Sequence, residues 1–127
     1  MKRLLILLAT VICLAGAQSA AAASEKSTVF VFAKIQDRVQ PIERGTKYED
    51  PLDAALKQAK FGEVTGGGSS LTKENTIDWV GVDIELVNLT DALAFTKKKL
   101  RELGAPKGSV LEFEKDGKEC STPIYDE

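Results

Sequence analysis

The run from Ile77 to Val87 limits the fold more than any other stretch of this chain. Val80, Val82, Ile84 and Leu86 alternate there with Trp79, Gly81, Asp83 and Glu85. Successive side chains of a strand point to opposite sides, so this alternation sends the aliphatic set to a core and the other set to the opposite face. A strand with one packed and one open face belongs to an antiparallel sheet covered on one side.

The remaining elements are read around that strand. Thr28 to Ile35 is a β-rich apolar run, Val29-Phe30-Val31-Phe32, with no clean alternation. It is expected to be a central strand covered on most of both faces. Asp37 to Glu49 is polar, contains Pro41 and Gly45, and reads as a loop. Asp50 before Pro51 reads as a helix start, with the carboxylate capping and proline at the first helical position. Leu52, Ala55, Leu56 and Ala59 mark its apolar face, and it stops near Phe61-Gly62. A strand-like stretch, Glu63 to Leu71, is interrupted by Gly66, Gly67 and Gly68.

Thr90 is expected to cap a second helix, with Leu89, Leu93, Thr96, Leu100 and Leu103 at helical spacing. Lys97, Lys98 and Lys99 suit the negative end of its dipole, and Gly104 and Pro106 end it. Ser109 to Lys115 is a last strand, with Leu111 and Phe113 facing in. Asp116-Gly117 then makes a turn, and a short polar tail follows. The order β-α-β-β-α-β predicts an α+β fold, the ferredoxin-like plait. In it, a four-stranded antiparallel sheet in the order 4-1-3-2 carries two helices on one face.

Ahead of the strands, Met1-Lys2-Arg3 precedes an uncharged apolar run from Leu4 to Gly16 and then the alanines Ala20 to Ala23. These are the parts of a secretory signal, with cleavage expected after Ala23. An apolar core of about 13 residues is too short for a span needing about 20. Residues 1–23 are therefore expected to be a cleavable signal and residues 24–127 a single small domain with its core over about 27–115. The expected location is the periplasm or the exterior, with no stable membrane anchor. Cys13 follows Ile12 where a lipid-modified cysteine requires a small residue.

Removing residues 1–23 leaves 15 basic against 19 acidic residues, a net charge of −4. Such a domain has no electrostatic attraction to nucleic acid. Cys120 becomes the only cysteine, so no intramolecular disulfide forms. There is no histidine, which excludes Ser-His-Asp and Cys-His catalysis and the common zinc sites in their usual form. Gly66-Gly67-Gly68 lacks the Lys-Ser/Thr and following helix of a phosphate loop. Its simplest role is a bulge or close backbone approach on an edge strand, and its alternative is contact with a ligand or peptide. No cofactor motif and no catalytic set is present.

Three segments resemble a pattern found in small bacterial proteins of uncharacterised role. They are Pro51-Leu52-Asp53-Ala54-Ala55-Leu56, Gly62-Glu63-Val64-Thr65-Gly66-Gly67-Gly68 and Leu103-Gly104-Ala105-Pro106-Lys107-Gly108-Ser109-Val110-Leu111. The resemblance covers roughly Asp50 to Phe113. It implies the fold alone and brings no catalytic residue.

The candidate binding residues all follow from strand alternation. Asp83, Glu85, Glu112 and Glu114 are expected on the sheet face opposite the helices, the two pairs roughly 10 Å apart at about 4.8 Å per strand. That is too wide for one metal ion, and the face is either solvated surface or a patch for a cationic partner. Trp79 shares the face, either as a contact anchor or packed beneath the Asp37 to Glu49 loop. Cys120 has no base partner in the sequence and reads as an incidental thiol. Asn88-Leu89-Thr90 fits a glycosylation sequon, but Thr90 has a capping role to fill. The leading expectation is a non-enzymatic binding domain contacting another protein, an acidic inhibitor or immunity-like protein being one version. A periplasmic small-ligand sensor or carrier is the alternative, and a carboxylate-based enzyme the third reading.

Overall fold

The computed structural model describes residues 27–125. The expected signal segment, its expected cleavage point and Cys13 lie outside them. Five strands form one antiparallel sheet: β1 (Val29–Ile35), β2 (Gly62–Leu71), β3 (Ile77–Leu86), β4 (Val110–Lys115) and β5 (Lys118–Pro123). Their order is β2-β3-β1-β4-β5. The expectation of four strands is thus corrected to five. The sequence of neighbours 4-1-3-2 stands, and β5 is added outside β4.

β5 occupies what reads as a polar tail. Asp116 and Gly117 both take positive φ, 54° and 78°, the two-residue turn whose twist matches a hairpin. The pairing Lys115↔Lys118 through Val110↔Pro123 follows from it. Ile124, fully buried just beyond the strand, anchors this hairpin from below, and its amide donates to the Ser109 carbonyl.

Two helical stretches cover one face. The first, α1, is continuous over residues 41–59, as Pro41–Arg44, a wider π-turn Gly45–Glu49, and Asp50–Ala59. The expected loop from Asp37 to Glu49 is therefore helical from Pro41 onward, and Asp50 lies within the helix rather than capping it. Pro51 has no N–H, and its ring crowds the carbonyl four residues back. The π-turn relieves this: the Asp50 amide donates five residues back to Gly45, widening the helix just ahead of the proline. Tyr48, Leu52 and Leu56, spaced four apart, are all fully buried.

The second helix, α2 (Leu89–Glu102), begins one residue before Thr90. Asn88 precedes it in the left-handed conformation at φ 56°. Ala92, Thr96 and Leu100 are its buried line. The Thr96 hydroxyl donates to the Ala92 carbonyl at 2.7 Å, which satisfies its only buried polar group.

The core lies between these helices and the sheet's inner face: Val31, Ala33 and Ile35 of β1, Val80, Val82, Ile84 and Leu86 of β3, and Leu111 of β4. Burying a side chain of this size stabilises by about 1.5–3 kcal/mol. Alternate residues of the same strands form the outer face, which neither helix touches through these core residues.

Candidate functional site

The pairings of five strands turn the outer face into a grid. The row nearest the start of β1 reads Glu63, Glu85, Phe30, Glu114, Glu119 across the sheet. Glu63↔Glu85 and Phe30↔Glu85 are direct cross-strand partners, as are Glu114↔Glu119. Glu114 falls beside Phe30 when the β1–β4 register is continued one step. The next row reads Gly66, Asp83, Phe32, Glu112, Ser121, and the third Gly68, Gly81, Lys34, Val110, Pro123. An aromatic line along β1 thus runs between an acidic line on β3 and another on β4.

The rings are held by specific contacts. Phe30 is 54% exposed. Phe32 lies over Gly81, where an added Cβ would come within 2.6 Å of its ring. Trp79 meets Phe32 edge-on, with centroids 6.0 Å apart and planes at 81°, a favoured aromatic geometry. Lys34 places its Nζ 4.7 Å from the centre of the Trp79 ring, so this face already holds one cation over an aromatic surface. At the start of β1, a groove of about 670 Å³ is lined by Phe30, Phe32, Glu114 and Glu119 of the outer set together with the inner-facing Phe113 and Cys120.

Asp83, Glu85, Glu112, Glu114 and Trp79 therefore share one face, with β1 between the two acidic pairs. Trp79 shares the outer face with Phe32 and Lys34, while the 37–49 segment sends Tyr48 into the core. Phe30, Phe32, Glu63 and Glu119 belong to the same surface and are missing from the sequence expectation. The β1 run reads as covered on both sides because its outer residues are aromatic, so hydrophobicity hides the alternation. Glu119 escapes because β5 does.

The three glycines divide between faces. Gly66 and Gly68 are outward, opposite Asp83 and Gly81, and the register shifts between Val64 and Gly66. Gly67 is inward, and a Cβ there would strike the Glu49 carboxylate and come within 3.1 Å of Arg44 Nε. Arg44 donates to Glu49 at 2.6 Å and to Ser69 Oγ at 2.9 Å. The triplet thus contains a bulge and a close approach that ties α1 to the edge strand.

A second polar cluster lies away from this face. Asp37 Oδ2 accepts the Tyr48 hydroxyl at 2.6 Å and Lys47 Nζ at 2.9 Å. Burial pushes the Asp37 carboxyl up, but the bonds from Tyr48, Lys47 and the Arg38 amide outweigh it and hold it below its ordinary value. Burial, then the Asp37 bond and charge, push the Tyr48 hydroxyl well above the usual tyrosine range. These groups latch the start of α1 to the end of β1. Cys120 is half-buried on β5, with its thiol 3.7 Å from the Lys118 carbonyl. Among the described residues, no group of three His, Cys, Asp or Glu side chains could hold a metal ion.

Compared with protein-family models, curated proteins and solved structures, the chain matches none.

Proposed function

We propose that this is an exported, non-enzymatic interaction domain that docks another protein on the outer face of its sheet, as an acidic inhibitor or immunity-like protein does. The observation that carries the reading is the aromatic line Phe30–Phe32–Trp79, open on a face that neither helix covers and flanked by carboxylates on both sides. Aromatic anchors ringed by polar groups are the usual makeup of a protein contact centre. The absence of histidine, and a Cys120 thiol set against the Lys118 carbonyl rather than against a base, support a binding role over catalysis. A small-ligand site at the glycine-rich edge is less well supported, because the Arg44–Glu49 pair already fills the space over Gly67.

The test is photocrosslinking in the native envelope from a reactive residue placed at Ser121 on the outer face, or at Lys98 on α2. A discrete adduct from position 121 alone, lost when Phe30→Ala and Trp79→Ala are added, is the expected result. Equal adducts from both positions, or an outer-face adduct indifferent to the aromatic changes, would remove the reading.

A further inference from the structure

Two glutamate pairs on the outer face are set directly against each other, Glu63↔Glu85 and Glu114↔Glu119. Like charges directly opposite in a sheet are destabilising. Among the described residues, no salt bridge is made by Glu85, Glu112, Glu114 or Glu119. Two lysines close to this face are engaged with other groups: Lys57 holds Asp53 at 3.0 Å, and Lys34 sits on Trp79. The one cation of the β1 outer line stands in the row whose flanking residues are Gly81 and Val110, where no acid is present. The Phe30 and Phe32 rows are the reverse, an aromatic ring between acids with no cation among the described residues that make up those rows.

Resting on the interaction reading above, we infer that the partner supplies the missing cations, as an extended basic segment with two arginines two residues apart. One guanidinium seats over Phe30 between Glu85 and Glu114, the other over Phe32 between Asp83 and Glu112. Guanidinium is the better fit because it stacks flat on an aromatic ring and offers a planar fork of donors to carboxylates on either side. The two seats are separated by two residues of β1, about 6.6–6.8 Å along the strand. Alternate side chains of an extended partner strand repeat at the same distance. The acidic lines on β3 and β4 are about 10 Å apart, two strand spacings, which leaves a single-strand channel over β1. A helix, about 10–12 Å across with its side chains, fills that width completely.

The experiment is amide chemical-shift titration of the 24–127 protein at low salt with synthetic peptides of equal charge. They are an extended Arg-x-Arg peptide, its Lys-x-Lys counterpart, and a helical peptide with arginines four residues apart. The Arg-x-Arg peptide is expected to bind at least about fivefold more tightly than either, with shifts centred on Phe30, Phe32, Glu85 and Glu114. The affinity should fall by tenfold or more in Glu85→Lys with Glu114→Lys. It should fall steeply between about 50 mM and 500 mM salt, because exposed charges are screened. Tightest binding by the helical peptide, no preference for arginine, or shifts centred elsewhere would each overturn the inference. If the peptides fail while the crosslink from position 121 persists, only the arginine pair is wrong. Loss of both sinks the interaction reading as well.

Discussion

The two faces of the sheet are made from alternate residues of the same strands, yet they are finished in opposite ways. On the inner face Val31, Ala33, Ile35, Val82 and Ile84 are fully buried beneath Leu52, Leu56 and Leu100. On the outer face Phe30, Phe32, Asp83, Glu85 and Glu112 alternate with buried residues of the same strands, and neither helix covers them. The first face satisfies each residue within the chain; the second leaves aromatic surface open and like charges opposed. Fold stability is therefore expected to depend on the inner set, and recognition on the outer.

The largest expected effect breaks that contrast from the inner side. Leu52→Ala removes a fully buried side chain and should cost about 2–5 kcal/mol of unfolding free energy. Phe30→Ala, with over half its surface already in water, should cost less than about 1 kcal/mol, since little area leaves the core. Urea denaturation of the two variants measures the difference, and equal losses would erase the distinction between faces.

Gly81→Ala probes the seam between the faces. The added methyl would collide with the Phe32 ring, and overpacking of this kind typically costs about 1–3 kcal/mol. Displacing Phe32 also breaks its edge-on contact with Trp79. The near-ultraviolet circular dichroism of Trp79 should change along with the unfolding midpoint.

These contrasts also explain what the sequence made visible. β3 was legible because, after Trp79, its outer residues Gly81, Asp83 and Glu85 are glycine or acidic, so period-two alternation stood clear. β1 was legible as a strand but not as two-faced, because Phe30 and Phe32 are as apolar as Val31. Pro51 misled in another way. A proline after an acidic residue reads as a helix start, and only the burial of Tyr48 four residues before Leu52 marks the helix as longer. β5 has an Asp116-Gly117 turn and an apolar Ile124 to pin it, but Lys118, Glu119 and Ser121 dilute any pattern. The acidic and tryptophan part of the site could be placed by alternation alone. Its aromatic centre needed the pairing of β1 with both neighbours.

A smaller effect is expected at the Asp37 latch. Tyr48→Phe removes the hydroxyl bonded to Asp37 and should cost about 1.5–2 kcal/mol near neutral pH, the lower part of the range for a bond to a charged acceptor. Asp37 is held below its ordinary value of 3.8 in the folded protein. Its contribution is therefore present above that value and lost as pH falls through the lower, folded-state value. The gap between wild type and Tyr48→Phe should be constant from about pH 5 to 8 and should close in acid below about pH 4. A gap that widens in acid would contradict the latch.

The smallest effect carries the most information, because it should run opposite to the others. If the outer carboxylates are arranged for a partner and not for the fold, neutralising one member of each opposed pair should stabilise the free protein. Glu85→Gln combined with Glu119→Gln removes the repulsion across Glu63↔Glu85 and Glu114↔Glu119. Urea unfolding at low salt should show a gain of about 0.2–1 kcal/mol per pair, shrinking as added salt screens the exposed charges. A loss of stability, or a gain unchanged at high salt, would mean that these glutamates serve the fold and would contradict the division between the two faces.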